Sequence, residues 1–180
     1  LLADAAETGA WDVGNIGAEP ARARTIAFTA AYCEIEATYL VPPGSPITSV
    51  DEVDRLGVRI ASATGSAYGL WLDRNITQAE VVNTDGLDGS WNAFADGPLE
   101  ALAGLRPRLI TDVEKMPGAR ILDGKFTAVQ QAMGTPRDRD PAGIEYLVAF
   151  VEAAKASGLV AESITRHSVV GLSVAPPAEG

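Results

Sequence analysis

The sequence predicts an α/β protein in which mixed β-sheets are flanked by helices, and three observations favour this class. Between residues 50 and 122, short apolar segments typical of strands alternate with segments typical of helices. Such alternation builds right-handed βαβ units around a mostly parallel sheet. The chain has 180 residues, 47% of them hydrophobic, which is enough to bury a core. A segment near the C-terminus also carries clear signals for the start and the end of a helix.

The charge balance and the rare residue types exclude several classes of function. With 14 basic and 24 acidic residues the net charge is −10, which argues against nucleic acid as a partner. Cys33 is the only cysteine and His167 the only histidine, so the sequence predicts no disulfide, no structural zinc, no other cofactor and no catalytic triad. No apolar run approaches the roughly 18 to 20 residues that span a bilayer.

The first third of the chain predicts a helix end followed by extended segments. The opening "LLADAAETGA" is typical of the C-terminal part of an amphipathic helix that stops at Gly9, with one face formed by Leu1, Leu2, Ala5 and Ala6. This pattern leads us to expect further sequence before Leu1. We interpret "WDVGNIG" (11–17) as a short buried strand, and "TIAF" and "EATYLVP" as two separate extended pieces. "PPGSP" (42–46) then interrupts the pattern.

The rest of the chain predicts regular alternation and a long final helix. Helices are expected at "SVDEVD", "SAYGLWLDRN", "GSWNAFAD" and "LITDVEKM", and strands at "GVRIAS", "AEVVN", "LEALAG", "ARIL" and "FTAVQQAMG". In residues 140–158 we expect Asp140 to cap a helix, Pro141 to open it and Gly158 to end it. Its buried face is predicted to contain Ile144, Leu147, Val148, Val151 and Ala154. A short helix follows at about 160–167, and the tail "VAPPAEG" is expected to be frayed.

The order of these motifs resembles a known family. "EPARARTIAFTAAY" is similar to the Thr-x-x-Arg, Phe-Ser/Thr, Tyr signature of the family 3 periplasmic solute-binding proteins, which serve amino-acid ABC transporters. The spacing from Arg22 to Phe28 fits, and "SVDEVDRLGVRIA", "TGSAYGLWL" and "VEAAKASGLV" resemble later family segments in the same order. The resemblance covers essentially the whole chain but lacks the family's opening half-lobe of two strands and a helix.

The resemblance implies a two-lobed periplasmic-binding-protein-like fold of type II. Lobe 1 would hold residues 1–36 and 126–180 and lobe 2 residues 37–125, with two crossover strands joining the lobes. Such lobes close like a hinge on a ligand held in the cleft between them. The implied protein is not an enzyme. It is periplasmic, with its signal peptide outside this chain, and delivers a small carboxylate-bearing ligand to the permease subunits of an ABC transporter.

The resemblance assigns the ligand's carboxylate to Arg22 and leaves Arg24 as a bystander. A guanidinium presents paired N–H donors that fit two carboxylate oxygens. Glu19 stands where the family commonly has Thr, and it could pair with Arg22 if the intervening turn is helical. A neutralised Arg22 would be a poorer anion clamp, and this alternative stays open.

Further candidate ligand contacts lie in three other segments. Thr64 and Gly65 precede a predicted helix and Ser66 stands at its N-terminus, where unpaired first-turn amides and the helix dipole favour an anion. Ser66 as a plain N-cap is the structural alternative, and the two roles are compatible. The resemblance places Asn15 and Gly17 where the family holds the ligand's amino group. It places Tyr32 near a crossover strand, in a position that fits packing as well as contact.

One departure from the family pattern concerns the ligand's amino group. The family has an acidic residue at the position of Glu100 and, five residues later, an Asp that binds the α-ammonium, but this chain has Leu105 there. A leucine accepts no hydrogen bond, so a buried ammonium would lose its main counter-charge. Unless Asp112 or another carboxylate substitutes, we expect an organic anion without an α-amino group.

Two alternative functions stay open at this stage. Some relatives resemble prephenate or arogenate dehydratases, a reaction that needs a positioned acid, for which Glu19, Glu100 and Asp112 are the candidates. A ligand-sensing domain is the other alternative. Ligand stacking by Trp11, Trp71 or Trp91 is less expected than a place in the core.

Overall fold

The computed structural model describes residues 2–178, and the chain divides into two compact units. Unit 1 comprises Leu1–Ile35 and Val129–Gly180, and unit 2 comprises Glu36–Ala128. The strands β2 (Ile26–Val41) and β7 (Thr127–Pro136) each run from one unit into the other. The two units are therefore joined by two crossover strands.

Unit 1 combines antiparallel strands with helices from the end of the chain. β1 (Gly14–Gly17) pairs with β7, and β8 (Leu172–Val174) pairs with β2. The helices are α4 (Pro141–Ala156) and α5 (Leu159–Arg166), together with 3-10 turns at Ala3–Thr8 and Arg22–Arg24. A small core forms where the first turn packs against β1 and β2, through Ala6, Ile16, Ile26, Trp11 and Phe28.

Unit 2 has the βαβ organisation that the alternating pattern predicts. β3 (Arg59–Ala63) pairs in parallel with both β4 (Glu80–Thr84) and β5 (Ala101–Leu105), and β5 pairs antiparallel with β2, as does the short β6 (Arg120–Ile121). After a 3-10 turn at Val50–Glu52, the elements are β3 (Arg59–Ala63), α1 (Ala67–Asn75), β4 (Glu80–Thr84), α2 (Gly86–Asp96), β5 (Ala101–Leu105), α3 (Arg106–Val113) and β6 (Arg120–Ile121).

Most of the apolar burial lies in unit 2. Of the twelve largest fully buried side chains in the described part of the chain, only Ile26 and Val151 belong to unit 1. The other ten are Tyr39, Leu40, Val41, Ile47, Val53, Ile60, Leu72, Leu102, Leu109 and Leu122. One cluster of this core fills the space between the sheet and helices α2 and α3, through Leu40, Ala61, Phe94, Leu102 and Leu109.

The structure corrects the interpretation of two segments. "TIAF" and "EATYLVP" are not separate pieces, because one continuous strand of 16 residues contains both. β8 pairs with residues 33–35 of this strand and β5 with residues 37–40, and β7 is its neighbour in the sheet as well. The tail is not frayed at its start, because Ala175 is buried and its amide donates to the carbonyl of Tyr32. Glu179 and Gly180, the last residues of that tail, lie outside the described residues, as does Leu1 in the predicted first helix.

Helix α4 has the predicted ends but only part of the predicted buried face. Asp140 accepts a hydrogen bond from the amide of Ala142 at 2.8 Å, and Pro141 opens the helix. Val151 is 1% exposed, whereas Val148 is 37% exposed and the prediction for it was wrong. The other members of the predicted face, Ile144, Leu147 and Ala154, are half-buried. No helix of residues 2–178 combines the length and apolar character that a bilayer span requires.

Candidate ligand-binding site

The turn after β1 positions Arg22. The amides of Arg22 and Ala23 both donate to the carbonyl of Glu19 at 3.0 Å, which winds the chain into a 3-10 turn. The guanidinium Nη1 of Arg22 donates to the carbonyl of Gly17 at 2.8 Å. A guanidinium carries five N–H donors, and this bond uses one of them. The side chain is thus held against the end of β1.

The electrostatic surroundings of Arg22 are mixed. Burial lowers the pKa of Arg22, while the negative charges of Glu19 and Asp4 raise it. Glu19 therefore acts on Arg22 as a nearby negative charge. Arg24 is exposed, and its Nε donates to the carbonyl of Ala21 at 3.3 Å.

The other sequence-predicted residues of unit 1 differ in their surroundings. Asn15 is exposed on β1, whereas Gly17 is buried at the end of the same strand. Tyr32 is half-buried on β2. Burial and the neighbouring Cys33 raise the pKa of Tyr32, and a hydrogen bond with Gln131 lowers it. The structure brings Gly17, Glu19 and Arg22 together at one turn, and Tyr32 has its own hydrogen-bond partner on β7.

The loop between β3 and α1 holds the three candidate residues of unit 2. Thr64 donates to the carbonyl of Thr84 through both its amide, at 2.9 Å, and its hydroxyl, at 2.8 Å. Gly65 has a φ of +69°, which only glycine adopts without strain. The Ser66 hydroxyl accepts from the amide of Gly69 at 3.0 Å, so the predicted N-cap is confirmed. The first turn of α1 therefore starts directly at the carboxyl end of β3.

Gly69 is a residue that the sequence reasoning missed. A Cβ atom at this position would lie 2.8 Å from the carbonyl oxygen of Ala63 and 2.8 Å from the hydroxyl of Ser66. The first turn of α1 thus approaches β3 so closely that a side chain at Gly69 does not fit. The available signal was a glycine inside a helical pattern, which often marks close backbone packing.

Two candidate carboxylates of unit 2 are engaged in structural ion pairs. Glu100 accepts from the guanidinium of Arg59 at 2.8 and 3.1 Å and from its amide at 2.8 Å, which ties the start of β5 to the start of β3. Asp112, which is 2% exposed, accepts from Arg108 at 2.8 Å and from Lys115 at 2.7 Å. Both carboxylates are therefore paired with basic side chains, and Leu105 is the last residue of β5.

A pocket of about 560 Å³ lies at the other end of the same strands. Its lining includes Pro46, Leu56, Phe94, Leu99 and Met116. Glu100, which precedes β5, also lines it, so this pocket is at the amino ends of the parallel strands β3 and β5. Ligands of open α/β sheets bind at the carboxyl ends of the strands, which is where the Ser66 loop lies. We therefore take the Ser66 loop, and not this pocket, as the candidate contact surface of unit 2.

Metal-dependent chemistry has no ligand set in the described part of the chain. No group of three or more His, Cys, Asp or Glu side chains within residues 2–178 is arranged to hold a metal ion. A guanidinium, as in unit 1, and a helix N-terminus, as in unit 2, are groups of the kind that hydrogen-bond anions.

The fold is that of the type II periplasmic binding proteins, and many similar structures are amino-acid ABC transporter substrate-binding proteins. The binding component of an ABC transporter from Wolinella succinogenes, complexed with lysine, superposes with a TM-score of 0.76 and 16% identity over 92% of this chain and 73% of that chain. The solute receptor for L-cysteine of Neisseria gonorrhoeae gives 0.77 and 17% over 94% and 70%. An ancestral amino-acid-binding protein, a precursor of cyclohexadienyl dehydratase, gives 0.73 and 16% over 91% and 72%.

The similarity to these proteins is seen in the structure and not in the sequence comparisons. No protein-family model matches the chain, and no curated protein matches it. Since the three structures named above are 16–17% identical to this chain, the likeness establishes the fold alone.

Proposed function

We propose that this protein is an extracytoplasmic, periplasmic solute-binding protein that delivers a small carboxylate-bearing ligand to the permease subunits of an ABC transporter. The observation that carries the proposal is the position of Arg22, held against the end of β1 by its 2.8 Å bond to Gly17. The fold supports the same role, because many proteins that share it are binding components of such transporters. The proposal includes ligand-dependent hinge closure, which small-angle scattering with and without ligand would measure as a smaller radius of gyration.

The proposed ligand is an amino acid or a related organic anion. The surroundings of the carboxylates in unit 2 favour an organic anion without an amino group. Leu105 offers no hydrogen-bond acceptor from its side chain where the resemblance expects an Asp. Glu100 and Asp112 are already bound to basic side chains, so their charges are compensated within unit 2. A buried ammonium without a counter-charge would cost several kcal/mol. We therefore expect a carboxylate that lacks an α-amino group to bind more tightly than the matching α-amino acid.

Isothermal titration calorimetry tests this proposal. The chain is titrated with α-amino acids and with the α-hydroxy and α-keto acids of the same side chains. Arg22→Ala is expected to weaken binding about 10- to 100-fold, because hydrogen bonds to a charged group contribute about 1.5–3 kcal/mol. Arg24→Ala is the matched control and is expected to change the affinity less than about threefold, because Arg24 is exposed.

Two results would overturn the proposal. One is the absence of any ligand that binds more tightly than about 1 mM, the weak end of the affinity scale. The other is an equal loss of affinity in Arg22→Ala and Arg24→Ala, which would remove the distinction between the two arginines.

A dehydratase-like enzyme is the second candidate, and one structural relative favours it. That relative is a precursor of cyclohexadienyl dehydratase. The reaction needs a positioned acid, for which Glu19, Glu100 and Asp112 are the candidates. Incubation with prephenate and arogenate discriminates, because product formation that Glu19→Gln abolishes would replace the binding function with the enzymatic one.

A further inference from the structure

A separate pocket of about 290 Å³ lies on unit 2. Its lining combines aromatic and charged side chains, and includes Tyr39, Asp51, Asp54, Trp71, Lys125 and Phe126. None of its lining residues belongs to the loop of residues 64–66 or to the pocket at the amino ends of β3 and β5. This pocket is therefore distinct from both the Ser66 loop and the pocket at the amino ends of β3 and β5.

Three aromatic rings form one wall of the pocket. The ring centroids of Tyr39 and Phe126 are 4.5 Å apart, and those of Trp71 and Phe126 are 5.2 Å apart. Trp71 and Phe126 are half-buried, so part of each ring is accessible from the pocket. Such rings offer apolar surface and electron-rich faces, which attract alkyl groups and cations.

The hydroxyl of Tyr39 is the second observation that points to a ligand. The side chain is 1% exposed, and within residues 2–178 its hydroxyl makes no hydrogen bond. Burial raises the pKa of Tyr39, and the nearby charge of Asp54 raises it further, so the hydroxyl stays protonated. Tyr39 lines the pocket, and the oxygen of its hydroxyl can accept a hydrogen bond from a donor that enters there.

The charges around the pocket are predominantly negative. Asp54 accepts hydrogen bonds from the amides of Thr77, Gln78 and Ala79, so these dipoles hold it in its ionised form. In the described part of the chain neither Asp51 nor Asp54 forms an ion pair. Lys125 is exposed and is the one basic residue of the lining. The lining thus contains two carboxylates and one ammonium group, and its net negative charge attracts a cation.

We propose that this pocket binds a primary alkylammonium ion. The ammonium N–H groups would donate to the Tyr39 hydroxyl and to the carboxylate of Asp51, and the alkyl chain would lie on Trp71 and Phe126. An anion would face two carboxylates, and a neutral apolar molecule would leave the Tyr39 hydroxyl without a partner. This inference is independent of the proposed transport function, because it involves neither Arg22 nor Ser66.

A titration followed by nuclear magnetic resonance tests the proposal. The probe is propylammonium chloride, and the reporter is the indole N–H signal of Trp71, assigned from its absence in Trp71→Phe. We expect a saturable shift of this signal, while the indole signals of Trp11 and Trp91 follow a sodium chloride control. The neutral analogue 1-propanol is expected to bind at least about tenfold more weakly, because it lacks the charge that the carboxylates and rings attract.

Two variants decide whether the named groups form the site. Tyr39→Phe and Asp51→Asn are each expected to weaken propylammonium binding about three- to tenfold. Tyr146→Phe removes an exposed tyrosine hydroxyl in unit 1 and serves as the matched control, with unchanged affinity. Overlaid amide spectra show that each variant keeps the fold. A Trp71 signal that moves only as in sodium chloride, or unchanged binding in both pocket variants, would overturn the proposal.

Discussion

Asp54 holds a loop of unit 2 through backbone hydrogen bonds. Its carboxylate accepts from the amides of Thr77, Gln78 and Ala79 at 2.8–3.2 Å and from the hydroxyl of Thr77 at 3.0 Å. Burial acts to raise the pKa of Asp54, but these hydrogen bonds together lower it to about 2. The folded protein therefore stabilises the ionised form of Asp54 more than the unfolded chain does.

The lowered pKa predicts how Asp54 contributes to stability at different pH. The ordinary pKa of an aspartate is about 3.9, so the contribution is fully present above that value and is lost as the pH falls towards about 2. The difference in urea unfolding midpoint between the wild type and Asp54→Asn is expected to be larger at about pH 6 than at about pH 3. A pH-independent difference for Asp54→Asn would contradict the prediction.

Single residues could be predicted where their role depends on neighbours in sequence. The cap at Ser66 and the cap at Asp140 were readable, because each accepts a hydrogen bond from an amide two or three residues later. The pairing of Glu100 with Arg59 was not readable, because 41 residues separate the partners and only the parallel pairing of β3 and β5 brings them together. The contacts of Arg22 with a ligand stay a prediction.

Two glycines in regular elements have opposite environments. Gly104 on β5 lies under helix α3, where a Cβ atom would be 2.8 Å from Cδ2 and 3.1 Å from Cγ of Leu109. Gly143 lies in helix α4, and a Cβ atom there would have no neighbour within 4 Å. The first glycine permits close packing of a strand and a helix, whereas the second only adds freedom to the unfolded chain.

Replacement of these glycines by alanine is expected to have opposite effects on stability. Gly104→Ala should lower the free energy of unfolding by about 1–3 kcal/mol, because the core must move to accept a methyl group. Gly143→Ala should raise it by about 0.5–1 kcal/mol, because alanine favours the helix. Equilibrium urea denaturation of both variants measures these changes. A stabilised Gly104→Ala would show that the contact with Leu109 relaxes easily.

The elements of unit 2 were predicted well and the length of β2 was not. Helices and strands of the βαβ region carry their pattern within ten residues or so, and the structure has them in the predicted order. The extent of β2 depends instead on β5 and on β8, which lie more than sixty and more than a hundred residues later in the chain. No pattern within residues 26–41 indicates that β5 and β8 will both pair with β2.

At the scale of the whole chain, the two units differ in their cores. Ten of the twelve largest fully buried side chains belong to unit 2, which is a single stretch of chain. Burial of one large apolar side chain contributes about 1.5–3 kcal/mol. Unit 2 therefore has much the larger share of the hydrophobic stabilisation within the described residues.

This difference predicts unequal protection from hydrogen exchange. The amides of β3 and β5 in unit 2 are expected to exchange at least about tenfold more slowly than those of β1 and β8 in unit 1, because opening of a larger core is less frequent. Mass spectrometry of deuterated peptides measures the rates. β2 supplies an internal comparison, since its residues 26–35 belong to unit 1 and 36–41 to unit 2. Equal protection along β2 would contradict the prediction.

The position of Leu56 at the amino end of β3 also has a practical consequence. Leu56 is 82% exposed, and the candidate contact loop at Ser66 follows the opposite end of the same strand. Burial raises the pKa of the Cys33 thiol to about 11, and this is the only cysteine of the chain. A Leu56→Cys variant would therefore carry one accessible thiol, through which a dye or a sensor surface could be attached while the Ser66 loop is left untouched.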